Sequence, residues 1–215
     1  MSGETIERLR AESSRGDYAS MVRLALALYD AGRGPHEVLR ECYGVDLPAE
    51  FFALAEAGPQ ELHLVIEYTN QPWELAVPPE QGGPSPEPDL LDEYEQKIFA
   101  RDPDLLPLGL ILDTHSSWYH AVLCYRLTEL ASGRTAVFGI PREVRPQDEV
   151  VLCGDSFLAV LHEHHADVLR GLSQQYAHPS NRGFGSVGLD ELAEVRSLLE
   201  RVEELQRQVA ANRSL

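Results

Sequence analysis

Between Tyr18 and Ala31 the apolar positions Met21, Val22, Leu24, Ala25, Leu28 and Tyr29 recur at steps of three and four. That period predicts an amphipathic helix, which Gly32 and Gly34 stop. A second helix is expected over Pro35 to Tyr43, opened by a proline and closed by Gly44. A third starts at Leu47-Pro-Ala-Glu, with Pro48 in the first helical position, carries Phe51, Phe52 and Leu54, and ends at Gly58-Pro59. The period then shortens. Leu62 to Tyr68, Leu105 to Asp113, Tyr119 to Leu127, Arg134 to Ile140 and Val150 to Cys153 read as strands rich in β-formers. The connections between the later strands are too short for helical crossovers, so an antiparallel meander is expected. Leu90 to Ala100 reads as a short helix. Asp155 or Ser156 caps a longer one running to Leu172.

The last segment, Leu189 to Ala211, has an apolar stripe at Leu189, Leu192, Val195, Leu199, Val202, Leu205 and Val209. A helix with such a face does not stand alone in water. It either packs on the domain or pairs with a second copy as a homodimer. The predicted fold class is therefore α+β: a mostly antiparallel sheet with helices packed on it, plus a long C-terminal amphipathic helix. The expected organisation is an N-terminal helical extension over 1–34, an α+β domain over 35–172, a linker over 173–188 and the C-terminal helix over 189–215. Residues 1–16 read as a weakly helical lead-in. The stretch 78–88, with its run of prolines and glycines, reads as an exposed loop or flexible insertion.

Composition narrows the function classes. Apolar residues make up 43% of the 215 residues, enough for a core. No apolar run approaches the roughly 20 residues that span a bilayer, and the N-terminus lacks the pattern of a secretion signal, so a cytoplasmic location without a membrane partner is expected. Thirty-five acidic residues against 18 basic ones give a formal charge of −17. Such a chain repels nucleic acid and attracts cationic partners. The cysteines, Cys42, Cys124 and Cys153, have no CxxC spacing, which argues against a zinc site or disulfide framework; Cys124 and Cys153 are expected in the core.

Two segments resemble the SUKH superfamily, which includes bacterial immunity proteins of toxin systems and a fungal regulator of cell-wall synthesis. Val38-Leu-Arg-Glu-Cys-Tyr-Gly-Val-Asp-Leu-Pro-Ala-Glu-Phe-Phe-Ala-Leu looks like the family's opening helix, its "G-v-x-L-P" and the following aromatic helix. Leu105-Leu-Pro-Leu-Gly through Gly154-Asp-Ser-Phe-Leu-Ala-Val-Leu resembles its strand entry, central meander and closing "S-F-x-x-F/L-x-x-L" helix. The likeness covers about residues 35 to 170. Glu56-Ala-Gly-Pro59 stands where the family usually has a polar-glycine pair, and the proline-rich stretch and the C-terminal helix look like additions. The resemblance implies a non-catalytic module with no cofactor, bound to a protein partner. In immunity members that partner is a toxin domain, often a nuclease, whose electropositive site suits an acidic inhibitor.

Candidate chemistry is weighed against plainer readings. His162-Glu-His-His165 places two imidazoles three apart, able to reach one metal, but not at H-E-x-x-H spacing; a polar helix flank accounts for it. Asp113 to His120 holds Asp, Ser and His without a nucleophile elbow, and reads as a turn in which Trp118 and Tyr119 suit a contact surface. The glycines of Asn181 to Gly188 lack the ending of a phosphate loop. The acids Asp89, Asp92, Glu93 and Glu95 lack the calcium-loop order and read as a solvated face, or as a contact for a basic partner. The expected contact residues are Trp73, Asp92, Glu93, Trp118 and Tyr119, with no catalytic or metal residue. The rival readings are a metal-dependent enzyme built on His115, His120, His162 and His165, and a self-associating scaffold organised by the 189–211 helix.

Overall fold

The computed structural model describes residues 3–59, 66–112, 120–145, 148–178 and 187–212. The chain is α+β. Four helices come first: α1 (Gly3–Glu12), α2 (Tyr18–Asp30), α3 (Pro35–Tyr43) and α4 (Ala49–Ala57). After β1 (Ile66–Tyr68), two 3-10 turns and α5 (Asp92–Arg101) come β2 (Leu105–Ile111), β3 (Ala121–Arg126), α6 (Leu127–Ala131), β4 (Val137–Pro141) and β5 (Val151–Gly154). The chain continues through α7 (Phe157–Ala177) and α8 (Leu189–Asn212).

The strands lie in sequence order, β1-β2-β3-β4-β5, each antiparallel to its neighbour. This is the meander that the short connections required. Alternation of side chains gives the sheet two apolar faces. Ile66, Leu106, Leu108, Ile111, Leu123, Tyr125 and Val137 join the main core with α2, α3, α4 and α7. Leu105, Leu110, Val122, Cys124 and Ile140 face the other way, onto Leu91 and Ile98 at and within α5. A register shift between Pro107 and Gly109 lets β2 serve both faces out of strict alternation. A side chain at 109 would press on Ile66, whose Cδ1 lies 3.1 Å from where a Cβ would sit.

Several boundaries follow their sequence signals. Gly44 adopts the left-handed conformation (φ 75°) that ends α3, and Ser156 caps α7 by accepting from the Ala159 N–H at 3.2 Å. α8 lays Val202, Leu205 and Val209 into the main core and Leu192 and Val195 against Val168 and Leu172 of α7. Five of the seven stripe positions are thus buried against its own chain, chiefly α7 and α4, while Leu199 is half-buried and Leu189 stands exposed.

Other expectations are corrected. The lead-in forms α1, because Ile6 and Leu9 pack against the core. α2, expected in an extension, contributes Tyr18, Met21, Val22, Leu24, Ala25 and Leu28 to the same core as the sheet. The proline-rich stretch is exposed at 79–82 and 86–88, as expected, but its middle folds back on the body: Gly83 and Pro84 are buried, and the Tyr18 hydroxyl donates to the Ser85 carbonyl at 2.9 Å. Gly83 permits this because a Cβ there would lie 2.5 Å from the Cβ of Val77. Leu127 to Ala131 is helical, since the Asp104 carboxylate accepts from the Thr128 N–H at 2.9 Å and its hydroxyl at 2.7 Å. α7 runs on to Ala177, into the expected linker.

Candidate functional site

The core contains a polar spine that no periodicity announces. Glu95, on α5, is 1% exposed. Its carboxylate accepts from the Asn70 N–H at 2.6 Å, the Asn70 side-chain amide at 2.9 Å and the Gln71 N–H at 3.3 Å. Burial pushes the Glu95 carboxyl up to about 8, against the opposing effect of those three donors. Its expected place in a solvated face is overturned. The Asn70 side chain continues outward: its amide donates to Asp89 Oδ1 at 3.0 Å and its carbonyl accepts the Asp89 N–H at 2.9 Å. Asp89 Oδ1 in turn accepts the Leu91 N–H at 2.8 Å.

That chain of bonds fixes a surface feature. Leu91 is buried and Asp89 is tied down, so Leu90 between them is forced outward and is 91% exposed. Val151, Leu152, Tyr176 and Leu189 are the other large apolar side chains that stand exposed among the described residues, none above 65%. Leu90 is the most exposed of these and sits within acids: Glu87, Asp89, Asp92 and Glu93 flank it in sequence. Asp92 is half-buried and takes a hydrogen bond from Gln96 at 2.7 Å. Its carboxyl is raised by burial, opposed by that hydrogen bond and reinforced by Asp89, Asp17 and Glu93. Glu93 is exposed, 3.9 Å from Lys97.

The other expected contact residues lie elsewhere. Trp73 is 5% exposed and stacks on Phe51 with ring centroids 4.4 Å apart; its indole N–H donates to the Leu108 carbonyl at 2.7 Å. It is a core aromatic that shows solvent only its edge. Trp118 and Tyr119 lie outside the described residues, as do His115 and the Asn181-to-Ser186 part of the glycine-rich segment.

That edge of Trp73 lines a groove of about 340 Å³ between the start of α3, the end of α4 and residues 73–81. Phe52, Pro35, Ala55 and Pro78 supply apolar wall, while Glu56 and Glu74 line it with carboxylates. His36 stacks on Phe52 at 3.4 Å between ring centroids. Ser85 connects the groove to the acidic shoulder, since its N–H donates to Glu74 Oε2 at 3.3 Å. The Tyr18 hydroxyl beneath is held well above its ordinary range by burial, then by Glu74, Glu95, Asp89 and Asp92.

Of the 162–165 segment of α7, His162 and Glu163 form the expected polar flank, but the other two histidines do not. His164 and His165 are fully buried, with His165 Nδ1 2.7 Å from the Leu161 carbonyl. His162 Nε2 lies 3.4 Å from Glu203 of α8. His120 is at the start of β3, with φ 62°, its N–H bonded to the Ile111 carbonyl at 2.9 Å. Among the described residues no three His, Cys, Asp or Glu side chains gather in a way that could hold a metal ion. A second buried acid, Glu50 of α4, accepts from the Tyr125 hydroxyl at 3.0 Å and from the Phe157 N–H at 2.9 Å. It holds the first turn of α7 to the sheet. Cys124 and Cys153 are buried, as expected.

No family model, no curated protein and no solved structure matches this chain.

Proposed function

We propose that the chain is a non-catalytic protein-binding module whose contact surface is the acidic shoulder around Leu90. The resemblance of residues 35–170 to the SUKH superfamily makes the partner, in its most concrete form, a basic toxin domain that the chain neutralises. One observation carries the reading: a leucine 91% exposed, held outward by the Asn70–Asp89 bonds and framed by carboxylates. Interfaces place an apolar anchor within a polar rim, and complementary charge speeds and orients the encounter. A rigid frame adds to this because little freedom remains to be lost on binding. The −17 charge of the chain gives long-range attraction for a cationic partner.

The buried acids and histidines fit the same reading. Glu50 and Glu95 spend their oxygens on backbone N–H groups that hold α7 and the 70–71 turn. Their work is to position the surface.

The test is differential capture from the native host with the wild-type chain and a Leu90→Arg variant. The reading expects a basic protein retained by the wild type, lost with the variant and released by raised salt. Production of that protein alone should arrest growth, and co-production of the wild-type chain should relieve the arrest. Equal retention by both chains would refute the proposed surface.

A further inference from the structure

The groove under Trp73 has walls of two kinds. Phe52, Trp73, Ala55, Pro35 and Pro78 make an apolar lining, and the polar part is two carboxylates, Glu56 and Glu74, together with Gln81 and the His36 ring stacked on Phe52. Its volume of about 340 Å³ exceeds that of one large side chain and falls within the range of small binding sites. An occupant must bring apolar area to the wall and positive charge to the acids. An arginine meets both needs, with a three-carbon stem that packs on apolar surface and a planar head that pairs with carboxylates.

The surroundings favour an arginine carried by a protein. Ser85 joins Glu74 to the stretch that leads to Leu90, so groove and shoulder belong to one acidic surface. The wall is also firmly built. Gly83 packs against Val77 more closely than any residue with a Cβ could, and the Gly83 N–H donates to the Pro78 carbonyl at 3.3 Å.

We propose that this groove, bounded by Phe52, Trp73 and Pro78 and edged by Glu56 and Glu74, receives an arginine side chain of the protein partner while Leu90 anchors the neighbouring contact. The proposal rests on the protein-binding reading, and deepens it by assigning the chemistry recognised at a second point of the same surface.

Trp73 reports on the groove directly. The chain has two tryptophans, so Trp118→Phe leaves the emission of Trp73 alone. In that full-length background, the probe is the peptide N-acetyl-Leu-Arg-Leu-amide, compared with the same peptide carrying neutral citrulline. The arginine peptide should give a saturable change in Trp73 emission and bind about tenfold more tightly than the citrulline peptide. Glu56→Gln and Glu74→Gln should each weaken it about fivefold. Equal binding of the two peptides, or no saturable change, would overturn the groove assignment. The captured partner separates the two claims. If its affinity falls with Leu90→Arg but not with the Glu56→Gln/Glu74→Gln pair, the groove proposal fails and the protein-binding reading stands.

Discussion

Glu95 gives the structure a pH dependence with a definite sign. Its carboxyl titrates at about 8 in the folded chain against an ordinary 4.5. The folded state therefore holds this proton more tightly than the unfolded state does. The stability that Glu95 contributes must fall as pH rises from about 4.5 through about 8, and its own part of the slope must vanish above that window. At about 1.4 kcal/mol per pH unit, the full difference amounts to at most about 5 kcal/mol, a large share of a typical net stability. The carboxylates of Glu37, Asp104, Glu129 and Glu204 are lowered, so their contributions are complete near the foot of this window, while Asp92, which is raised, adds a fall of the same sign in wild type and variant alike. Glu95→Gln removes the titration but keeps an oxygen for the Asn70 N–H and side-chain amide, at the cost of the longer Gln71 bond. Urea unfolding from pH 5 to 9, followed by far-ultraviolet circular dichroism, reads the effect. The wild type should lose stability progressively across that range, and Glu95→Gln should lose distinctly less between pH 5 and 8. Parallel slopes in the two chains would refute the raised carboxyl at this buried position.

Three further outcomes follow from the packing. Glu50→Ala strands the Tyr125 hydroxyl and the Phe157 N–H, and should cost about 2–4 kcal/mol in urea unfolding, with Glu50→Gln restoring most of it through its amide oxygen. Gly83→Ala drives a Cβ to 2.5 Å from Val77 and should cost about 1–3 kcal/mol while altering Trp73 emission in the Trp118→Phe background, as the groove wall shifts. Truncation after Gly188 uncovers the faces of α7 and α4 that α8 buries, so the shortened chain should melt at lower temperature and scatter light as larger species; an unchanged melting temperature would contradict the in-chain docking of Val202, Leu205 and Val209.

What the sequence discloses and what it hides have physical reasons. The stripe of α8 and the alternating strands were legible because one-sided burial imposes a period on the residues themselves. Gly44 marks the end of α3 because a left-handed residue is needed there. Glu50 and Glu95 were illegible: a carboxylate on an amphipathic helix reads as solvent-facing, and only long-range partners such as Phe157 and Asn70 reverse that. Trp73 directly follows the polar run Thr69-Asn-Gln-Pro72, which hides that its ring stacks on Phe51 from another element. The proline-rich stretch looked exposed by composition, yet a single missing Cβ at Gly83 lets it close onto Val77. At the candidate site, the acidity of the 87–95 stretch is plain in the sequence, whereas the exposure of Leu90 depends on the hydrogen bonds of its neighbour Asp89.

The most direct measurement is hydrogen–deuterium exchange of the full chain, alone and with the captured partner. Binding through the acidic shoulder predicts slowed exchange confined to residues 74–95, around Glu74, Asp89 and Leu90. Protection limited to α8 or to β5, with 74–95 unaltered, would contradict it.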